Sequence, residues 1–429
     1  MAELSVGMQV KLRNGTSCKV KKELGRGGQG IVYLVDYQGK NYALKWYTIS
    51  CSEAFYQNLE RNVKKGSPSS IFLWPEAVSE YHDGSFGYLM KLRPNGYEEI
   101  GSFMLAKARF SDVDCLLRAC LQICTAFQQL HIRGLSYQDM NDGNFFIHPK
   151  TGDVLICDND NVAPNGVNMG IAGKSGYMAP EIVEKESMPN LYTDYFSLSV
   201  ILFILIYMNR PFEGAKSLSC PCMTEELEKK LNGKSCVFIL DPSDDSNRPV
   251  RGLHTNVIRR WPLFPKLLRD AFVQTFSKEA IVTPSKRMMD RDWQNLLVQV
   301  RSLYVKCPVC GKYTFVNLDQ NSLVCLVCGK SYPKPTVLKL GKYIVPLVPE
   351  QKIYQCQVSL ENDYNKVVGE IVRHPNDPKK WGLQNLSGAQ WFATALSGES
   401  RLVDNDTAVP IVPGLKIRFT KEITGEILK

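Results

Sequence analysis

The feature that most constrains the fold is a glycine-rich segment with a strand pattern on each side. Residues 25–32 have the pattern G-x-G-x-x-G-x-V. Residues 18–21, in which apolar and polar side chains alternate, come before this segment, and the strand-like run 31–35 overlaps its end. A strand rather than a helix after the last glycine argues against a dinucleotide-binding unit. These glycines either only connect two strands or let backbone N–H groups approach phosphate oxygens. Turn signals at Asn14-Gly15 and Gln38-Gly39 predict a hairpin on either side.

Polar residues farther along favour the phosphate interpretation. Lys45 ends an apolar strand, where it either reaches solvent or holds phosphates. Asp139 and Asn144 are five residues apart, and Asp158 follows the apolar run 154–157. A carboxylate that orients a hydroxyl, with an amide and a carboxylate that hold Mg²⁺, is the set that phosphoryl transfer requires. Each motif alone would suit a turn, but all of them in this order indicate chemistry.

Helical patterns dominate from Ser111, a candidate N-cap, to about Tyr304. The apolar run 198–208 is shorter than the roughly 20 residues of a membrane helix, so it predicts a buried core helix. A length of 429 residues suggests about three domains, and 44% hydrophobic residues are ample for their cores. With no recognisable export signal, the fourteen cysteines favour reduced thiols in a cytoplasmic protein.

Four of these cysteines have metal-ligand spacing. Cys307 and Cys310, then Cys325 and Cys328, form two C-x₂-C pairs, each followed by a glycine. Four thiolates suit one structural tetrahedral Zn²⁺, with an iron–sulfur cluster or redox chemistry as alternatives. Residues 301–342 carry seven basic residues and one acidic residue, a large share of the net charge of +9. This excess either is a solvated linker or faces an acidic protein or, as the weaker alternative, nucleic acid.

Over roughly residues 5–300, the order of these motifs resembles the eukaryotic-type Ser/Thr protein kinase family. Residues 179–181 (Ala-Pro-Glu) resemble the end of the activation segment, and Asp194 resembles the acid that opens the central helix. The resemblance implies an α+β, two-lobed protein kinase fold over 5–303, with an N-lobe at about 5–92 and a C-lobe at about 93–303. It also implies an enzyme that uses Mg-ATP to phosphorylate Ser/Thr hydroxyls of a partner protein.

The resemblance further implies roles for individual residues. Asp139 and Lys45 would be catalytic, Asn144 and Asp158 would bind magnesium, and Glu181 would form a structural pair with Arg287. The partner of Lys45 on the N-lobe helix is expected at Glu60 in preference to Glu53. The expected ATP-binding residues are Gly25, Gly27, Gly28, Gly30, Val32, Lys45, Met90, Lys91 and Leu92.

Several departures from the family pattern bear on regulation. Tyr137-Gln138-Asp139 replaces His-Arg-Asp, Asp158-Asn159-Asp160 replaces Asp-Phe-Gly, and Asn141 and Lys174 stand where lysine and threonine are usual. The segment 161–173 contains no Ser, Thr or Tyr. We therefore expect a non-RD kinase that needs no phosphate on its activation loop. The alternative is a pseudokinase scaffold that binds nucleotide weakly or not at all and acts through its C-terminal modules.

The tail predicts two further modules. Residues 304–333 would form a zinc ribbon, followed by a Pro-rich connector at 333–349. Residues 346–429, with Gly382 to Ser387 and Trp391, resemble a degenerate forkhead-associated β-sandwich that lacks a clear phosphothreonine-binding set. Kinase, ribbon and β module together are similar to bacterial stress-associated kinases. That resemblance implies a metal-dependent protein phosphatase and a von Willebrand A-domain protein as partners.

Overall fold

The fold is described from a computed structural model that covers residues 3–170, 173–218, 222, 224–320, 322–361 and 363–429, the side chains of 378 and 379 excepted. The chain divides into two compact units. The first unit comprises Met1–His254 and Gln274–Asp290, and the second comprises Thr255–Val273 and Arg291–Lys429.

The first unit begins with strands and one helix. These elements are β1 (Gln9–Lys11), β2 (Ser17–Arg26), β3 (Gly30–Tyr37), β4 (Lys40–Tyr47), α1 (Glu53–Lys65), β5 (Ala77–Val78) and β6 (Gly87–Lys91). The strands form one antiparallel sheet in the order β1-β2-β3-β4-β6-β5. Both predicted hairpins are confirmed. At the second turn, Gln38 and Gly39 both have positive φ, the conformation that a two-residue hairpin turn requires.

The other helices are distributed over the rest of the chain. In chain order they are α2 (Ile100–Met104), α3 (Val113–Ile132), α4 (Pro180–Val183), α5 (Leu191–Tyr207), α6 (Ala215–Leu218), α7 (Glu225–Asn232), α8 (Thr255–Arg260), α9 (Lys266–Thr275), α10 (Lys278–Val282), α11 (Asp290–Ser302) and α12 (Gln355–Val358). Short 3₁₀ turns lie at Asn159–Asn161, Trp261–Leu263 and Pro284–Lys286.

The centre of the first unit is α5, which confirms the predicted core helix. Every residue from Thr193 to Tyr207 is buried, because the apolar residues surround the whole helix. An Asn190–Thr193 capping box fixes its N-terminus. Helix α3 begins one residue later than predicted, since the Asp112 carboxylate, and not the Ser111 hydroxyl, accepts the Cys115 N–H at 2.7 Å. Within the described residues, none of the helices is both long and apolar enough to cross a membrane.

Short strands position the chemical residues between the sheet and the helices. They are β7 (Glu98–Glu99), β8 (Leu135–Tyr137), β9 (Phe145–Ile147), β10 (Val154–Ile156) and β11 (Val162–Pro164). Residues 138–144 connect β8 to β9, and residues 157–161 connect β10 to β11. Because β9 pairs with β10 and β8 pairs with β11, the two connections lie side by side.

The second unit contains many short strands. They are β12 (Tyr304–Lys306), β13 (Tyr313–Phe315), β14 (Ser322–Val324), β15 (Ser331–Pro333), β16 (Val337–Leu340), β17 (Tyr343–Pro346), β18 (Lys352–Tyr354), β19 (Val367–His374), β20 (Asp377–Asn385), β21 (Trp391–Thr394), β22 (Ser400–Val403), β23 (Ala408–Pro410), β24 (Lys416–Arg418) and β25 (Thr424–Leu428). Two hairpins, β12–β13 and β14–β15, carry the four cysteines in their turns.

The remaining strands form a β-sandwich. One sheet has the order β17-β16-β25-β24-β21-β22, the other β18-β19-β20-β23. The sheets approach closely where Gly369 of β19 faces the Trp391 ring of β21, since a Cβ on that glycine would lie 3.0 Å from the ring. The sequence pattern starts this domain at 346, whereas the first sheet begins with strands earlier in the chain. Residues 337–346 form β16 and β17, and Pro346 is tolerated because β17 is an edge strand.

The predicted end of the first domain at 303 also differs from the structure, because helix α11 is bonded into the second unit. Gln351 donates to the Ser302 carbonyl at 2.9 Å, and Gln299 exchanges two hydrogen bonds with the backbone of Ile344. The Arg301 guanidinium lies 3.6 Å from the centre of the Tyr354 ring and donates to the Tyr364 carbonyl. Nearly all of α11 therefore belongs to the second unit, as do residues 255–273.

Candidate active site

The glycine-rich turn leaves open space above the end of β4. The Gly27 N–H donates to the Gly30 carbonyl at 2.9 Å, which closes the turn between β2 and β3. A Cβ on Gly30 would overlap the Trp46 carbonyl oxygen, so glycine there permits close strand packing. A Cβ on Gly25 or Gly28 would meet no atom within 4 Å. The latter two glycines therefore border a volume that phosphate groups can enter.

Lys45 lies buried beneath this turn, between two carboxylates. Its Nζ is 3.2 Å from Asp158 Oδ1 and 2.8 Å from Asp160 Oδ2. Burial lowers the pKa of Lys45, but the charges of Asp160 and Asp158 outweigh that effect and raise it, so the ammonium stays charged. The predicted partner Glu60 is corrected by this geometry, because its carboxylate instead accepts from the Arg13 guanidinium at 3.1 Å.

Asp158 has a left-handed backbone, with φ of 52° and ψ of 44°. The following residue, Asn159, is fully buried and donates to the carbonyls of Leu73, at 2.8 Å, and Ile156, at 2.9 Å. The Asn159 amide thus fixes this loop by hydrogen bonds, whereas the phenylalanine that is usual at this position could contribute only apolar packing. Burial raises the pKa of Asp158, while the Lys45 charge opposes that shift.

The connection between β8 and β9 presents Asp139 to the same cleft. Asn144 Nδ2 donates to the Asp139 carbonyl at 2.8 Å, and Asn141 Nδ2 does so at 3.2 Å. Among the described residues, the buried Asp139 Oδ1 has no hydrogen-bond partner. Burial is the largest effect on the pKa of Asp139 and raises it, while the charges of Lys45 and Lys174 lower it. The loop therefore holds a carboxylate oxygen without a partner, Asp139 Oδ1, next to the Asn144 amide, whose position is fixed by its hydrogen bond.

Lys174 adds a positive charge at the edge of this cleft. Its ammonium bonds the Asp142 carboxylate, which also lies 4.0 Å from the Arg210 guanidinium. Burial raises the pKa of Asp142, but the Lys174 hydrogen bond and charge more than reverse that effect. About half of the Lys174 side chain remains exposed, at 47%.

Apolar residues form the inner part of the cleft. Ala43 of β4 pairs in register with Met90 of β6, and both are buried. Val32, Leu92 and Leu155 pack against the same cluster and are only partly buried. The cluster has the apolar character that an adenine ring requires. Lys91 Nζ is 3.8 Å from the Glu76 carboxylate, at the rim.

The predicted structural pair joins helix α4 to the segment that follows helix α10 in the first unit. The Arg287 guanidinium donates to both carboxylate oxygens of Glu181, at 2.7 and 2.8 Å, and to the carbonyls of Ala280 and Ile281. Both side chains are buried, and this bidentate geometry is the strong form of such a pair.

This geometry matches a known family. The protein kinase domain model matches residues 18–235, slightly more than half of the chain. The chain belongs to the protein kinase family. The matched residues all lie in the first unit, so the kinase domain contains the glycine-rich turn, Lys45, Asp139 and Asp158.

Curated relatives of this kinase domain are protein kinases from several eukaryotes. The chain is 26% identical over 208 residues to calcium-dependent protein kinase 33 of Arabidopsis thaliana, covering 45% of this chain and 38% of that protein. It is 22% identical over 312 residues to probable serine/threonine-protein kinase nek1 of Dictyostelium discoideum, covering 65% of this chain and 61% of that protein. The chain thus spans less than two thirds of either relative. Among solved structures, the Mycobacterium tuberculosis PknI kinase domain aligns with a TM-score of 0.47 at 16% identity, covering 70% of this chain and 99% of that one.

The kinase activation segment is held by a neutral amide. Gln138, which stands where the family has arginine, donates its Nε2 to the Val167 carbonyl and accepts from the Met169 N–H at 3.2 Å. The segment 161–173 that lacks hydroxyl side chains includes residues 171 and 172, which lie outside the described part of the chain. Gln138 therefore fixes residues 167–169 without a phosphate.

Sequence reasoning missed the surroundings of Lys45. The sequence pattern marks Asp160 only as a departure from the usual glycine, although Tyr47 and Tyr88 both bond it. Helix α1 was expected to supply a carboxylate, yet its buried polar residues are Asn58 and Asn62. The available signal was the pair of asparagines four residues apart, which follows the spacing of the buried apolar residues of α1.

The four cysteines outside the kinase domain fit one metal ion. Their Sγ atoms all lie within 4.8 Å of one another, and Cys310 Sγ is 3.8 Å from Cys325 Sγ. Sulfurs around a tetrahedral Zn²⁺ at about 2.3 Å would stand roughly 3.8 Å apart. Gly311 and Gly329 have positive φ, as the tight turns require. The N–H groups of Val309 and Val327 point at the buried sulfurs of Cys307 and Cys325, at 3.4 Å each.

Proposed function

We propose that this protein is a Mg-ATP-dependent Ser/Thr protein kinase. The observation that carries the proposal is the buried, unpartnered Asp139 Oδ1, whose carboxyl group lies near enough to Lys45 for that charge to act on its pKa, while Lys45 in turn pairs with Asp158. Burying a carboxylate oxygen without a partner is costly, so a site that maintains one is suited to accept a hydrogen bond from a substrate hydroxyl. The family match and the Ser/Thr kinases among its relatives support this assignment.

Each residue then has a defined task. The glycine-rich turn and Lys45 bind phosphates, Met90 and Leu92 border the adenine, and Asp139 orients the attacking hydroxyl. Because Asn144 Nδ2 is engaged by the Asp139 carbonyl, its Oδ1 is the ligand atom that it can offer with Asp158 to Mg²⁺. Bound Mg²⁺ supplies neutralisation of the phosphate charge that develops during transfer.

The decisive experiment is phosphate transfer from labelled ATP to a generic Ser/Thr protein substrate. We expect Asp139→Asn to lower kcat by about 10²- to 10⁴-fold, the usual contribution of a positioned acid–base group, while Mg-ATP still binds. Glu213→Gln, a surface change on the same unit, is the matched control. Transfer that is equally fast in Asp139→Asn would refute the assignment.

The second candidate is a pseudokinase scaffold, favoured by Asn141 in place of lysine and by Asn159 in place of phenylalanine. It predicts that the purified chain binds nucleotide weakly or not at all and transfers no phosphate with any divalent cation. The compensating contacts of Asn159, with Leu73 and Ile156, favour the active kinase.

We further propose a non-RD kinase, independent of activation-loop phosphorylation, whose second unit carries one structural Zn²⁺ and a forkhead-associated-like β-sandwich. Four thiolates would complete a tetrahedral zinc and leave no position for water, so the metal would fold the two hairpins. The partners proposed beside the protein substrate are a metal-dependent phosphatase and a von Willebrand A-domain protein, in a bacterial stress response in the cytoplasm. Co-purification with each candidate partner tests them.

A further inference from the structure

Helix α1 has no carboxylate aimed at Lys45. Its acidic residues are Glu53, which accepts from Gln57, and Glu60, which accepts from Arg13. Its buried polar residues, Asn58 and Asn62, both donate to the Val162 carbonyl, at 2.8 and 2.9 Å. The inner face of α1 therefore binds the backbone at Val162, and the carboxylate that pairs with the Lys45 ammonium must come from another element.

That partner is Asp160, a fully buried carboxylate with three donors. Lys45 Nζ, at 2.8 Å, and the Tyr47 hydroxyl, at 2.6 Å, both bond Oδ2, and the Tyr88 hydroxyl bonds Oδ1 at 3.2 Å. Burial and the charge of Asp160 hold the pKa of both tyrosines well above its usual range, so both remain donors. A buried charge is tolerated when its oxygens are bonded in this way.

Strand geometry explains how the three donors meet. Lys45 and Tyr47 are two residues apart on β4, so their side chains leave the same face of the sheet. Tyr88 of β6 is the cross-strand partner of Lys45 and shares that face. A single carboxylate beneath this face can therefore accept from all three.

From this geometry we propose that Asp160 is the positioning residue for Lys45, in the place where the kinase family uses a helix carboxylate. The inference rests on the proposed function. Without Asp160, Asp158 would be the one carboxylate left to Lys45 among the residues that the structure describes. The proposed function assigns Asp158 to Mg²⁺, so Asp160 binds the ammonium and leaves Asp158 available to the metal. Lys45 is then held independently of any carboxylate on α1.

The test compares Asp160→Asn with Glu60→Gln in the full chain. We expect Asp160→Asn to raise the KM for ATP or lower kcat so that kcat/KM falls about 10- to 100-fold, the cost of one hydrogen bond between charged groups. It should also raise the Mg²⁺ concentration needed for half-maximal activity, since Lys45 then competes for Asp158. A purely structural role would not produce that magnesium shift. Glu60→Gln should stay within about twofold of wild type.

Tyr88→Phe provides a second variant in case Asp160→Asn does not fold, which thermal unfolding would reveal. It removes one donor to Asp160, and we expect a loss in the same direction of about 3- to 10-fold. Binding of a fluorescent ATP analogue, titrated with Mg²⁺, gives the same comparison without activity.

Normal kinetics and magnesium dependence in a folded Asp160→Asn, or a loss in Glu60→Gln instead, would overturn the inference while the proposed function stands. A wild-type protein that binds Mg-ATP but transfers no phosphate would refute the proposed function, and the binding comparison would then decide the inference. A wild type that binds no nucleotide would overturn both.

Discussion

At the scale of single residues, Asp139 is tuned by charges that come from elsewhere in the fold. Burial raises the pKa of Asp139, and the charge of Lys174 is one of the effects that oppose this shift. Lys174 reaches the cleft from the activation segment, while Asn141 stands where the family places a lysine. The activation segment therefore supplies a positive charge that acts on Asp139.

Removing that charge has a predictable effect on the pH profile. Lys174→Met should raise the pKa of Asp139, so the acidic limb of the kcat profile should move to higher pH. The measurement is kcat against pH for the variant and for Lys185→Met, a surface lysine paired with Glu225. An unchanged acidic limb in Lys174→Met would show that this charge does not act on Asp139.

His131 makes stability depend on pH. Its ring nitrogens bond Asp194 at 3.0 Å and Asp290 at 2.8 Å. Burial lowers the pKa of His131, but the two carboxylates outweigh it and raise the pKa to about 9. This stabilisation is fully present below the unfolded pKa of about 6.5 and is lost as pH rises through about 9.

The expected difference is on the order of 3 kcal/mol between pH 6 and pH 9.5. Burial also raises the pKa of Asp194, while the His131 hydrogen bond and charge oppose that shift. Unfolding of the first unit should therefore lose stability across this range in wild type and much less in His131→Gln. His82→Gln, which changes an exposed histidine, should behave like wild type. Equal slopes in wild type and His131→Gln would contradict the assignment.

At the scale of elements, the activation segment is tied to the catalytic loop by the Gln138 amide. Unlike an arginine–phosphate pair, two neutral hydrogen bonds are not screened by salt and need no modification. Tyr177, the nearest tyrosine beyond the segment, is 1% exposed and accepts from Ser197 through its backbone, which indicates a structural role.

Complete phosphatase treatment should therefore leave activity unchanged. Gln138→Ala should lower kcat about 5- to 10-fold, since two hydrogen bonds that order residues 167–169 are lost. Gln57→Ala removes an amide that bonds the surface carboxylate of Glu53 and is the matched control. Activity that disappears with phosphatase and returns on autophosphorylation of this segment would contradict the prediction.

The sequence was a good guide to elements with strong local signals. The two hairpins and the buried helix α5 follow from turn residues and apolar patterning, and Glu181 and Arg287 meet as expected. The partner of Lys45 could not be predicted in this way, because whether Glu60 points inward depends on how α1 is rotated. Packing of Phe55 and Leu59 sets that rotation and turns Glu60 toward Arg13.

At the scale of the whole molecule, the chain is organised as two compact units whose limits differ from its sequence modules. The two cysteine hairpins are not isolated from their own unit. Phe315 of β13 lies 5.1 Å, ring centre to ring centre, from Phe264, and Lys306 pairs with Glu350. The sequence pattern puts the boundary at 303 because the helical patterns of the kinase domain continue through α11. Only the contacts of α11 reveal the unit to which it belongs.

Removal of the proposed metal should destabilise the second unit and leave nucleotide binding nearly intact. Cys325→Ser with Cys328→Ser should remove most of the metal-binding free energy, on the order of 10 kcal/mol. Elemental analysis should find one zinc per chain in wild type and none in the variant, and proteolysis should become faster within 304–333. Cys356→Ser, which changes a cysteine outside the cluster, is the control. Absorbance of an iron–sulfur cluster in wild type, or collapse of ATP affinity in the variant, would contradict this prediction.

The amide that Gln138 provides also affects the timing of any signal. A kinase whose activation segment takes no phosphate keeps no chemical record of earlier stimulation, so it has no phosphate of its own to lose when a stimulus ends. The duration of a response is then set by how fast its targets are dephosphorylated and how fast the kinase itself is synthesised and degraded. For the proposed kinase, an opposing phosphatase would determine the decay time of the signal.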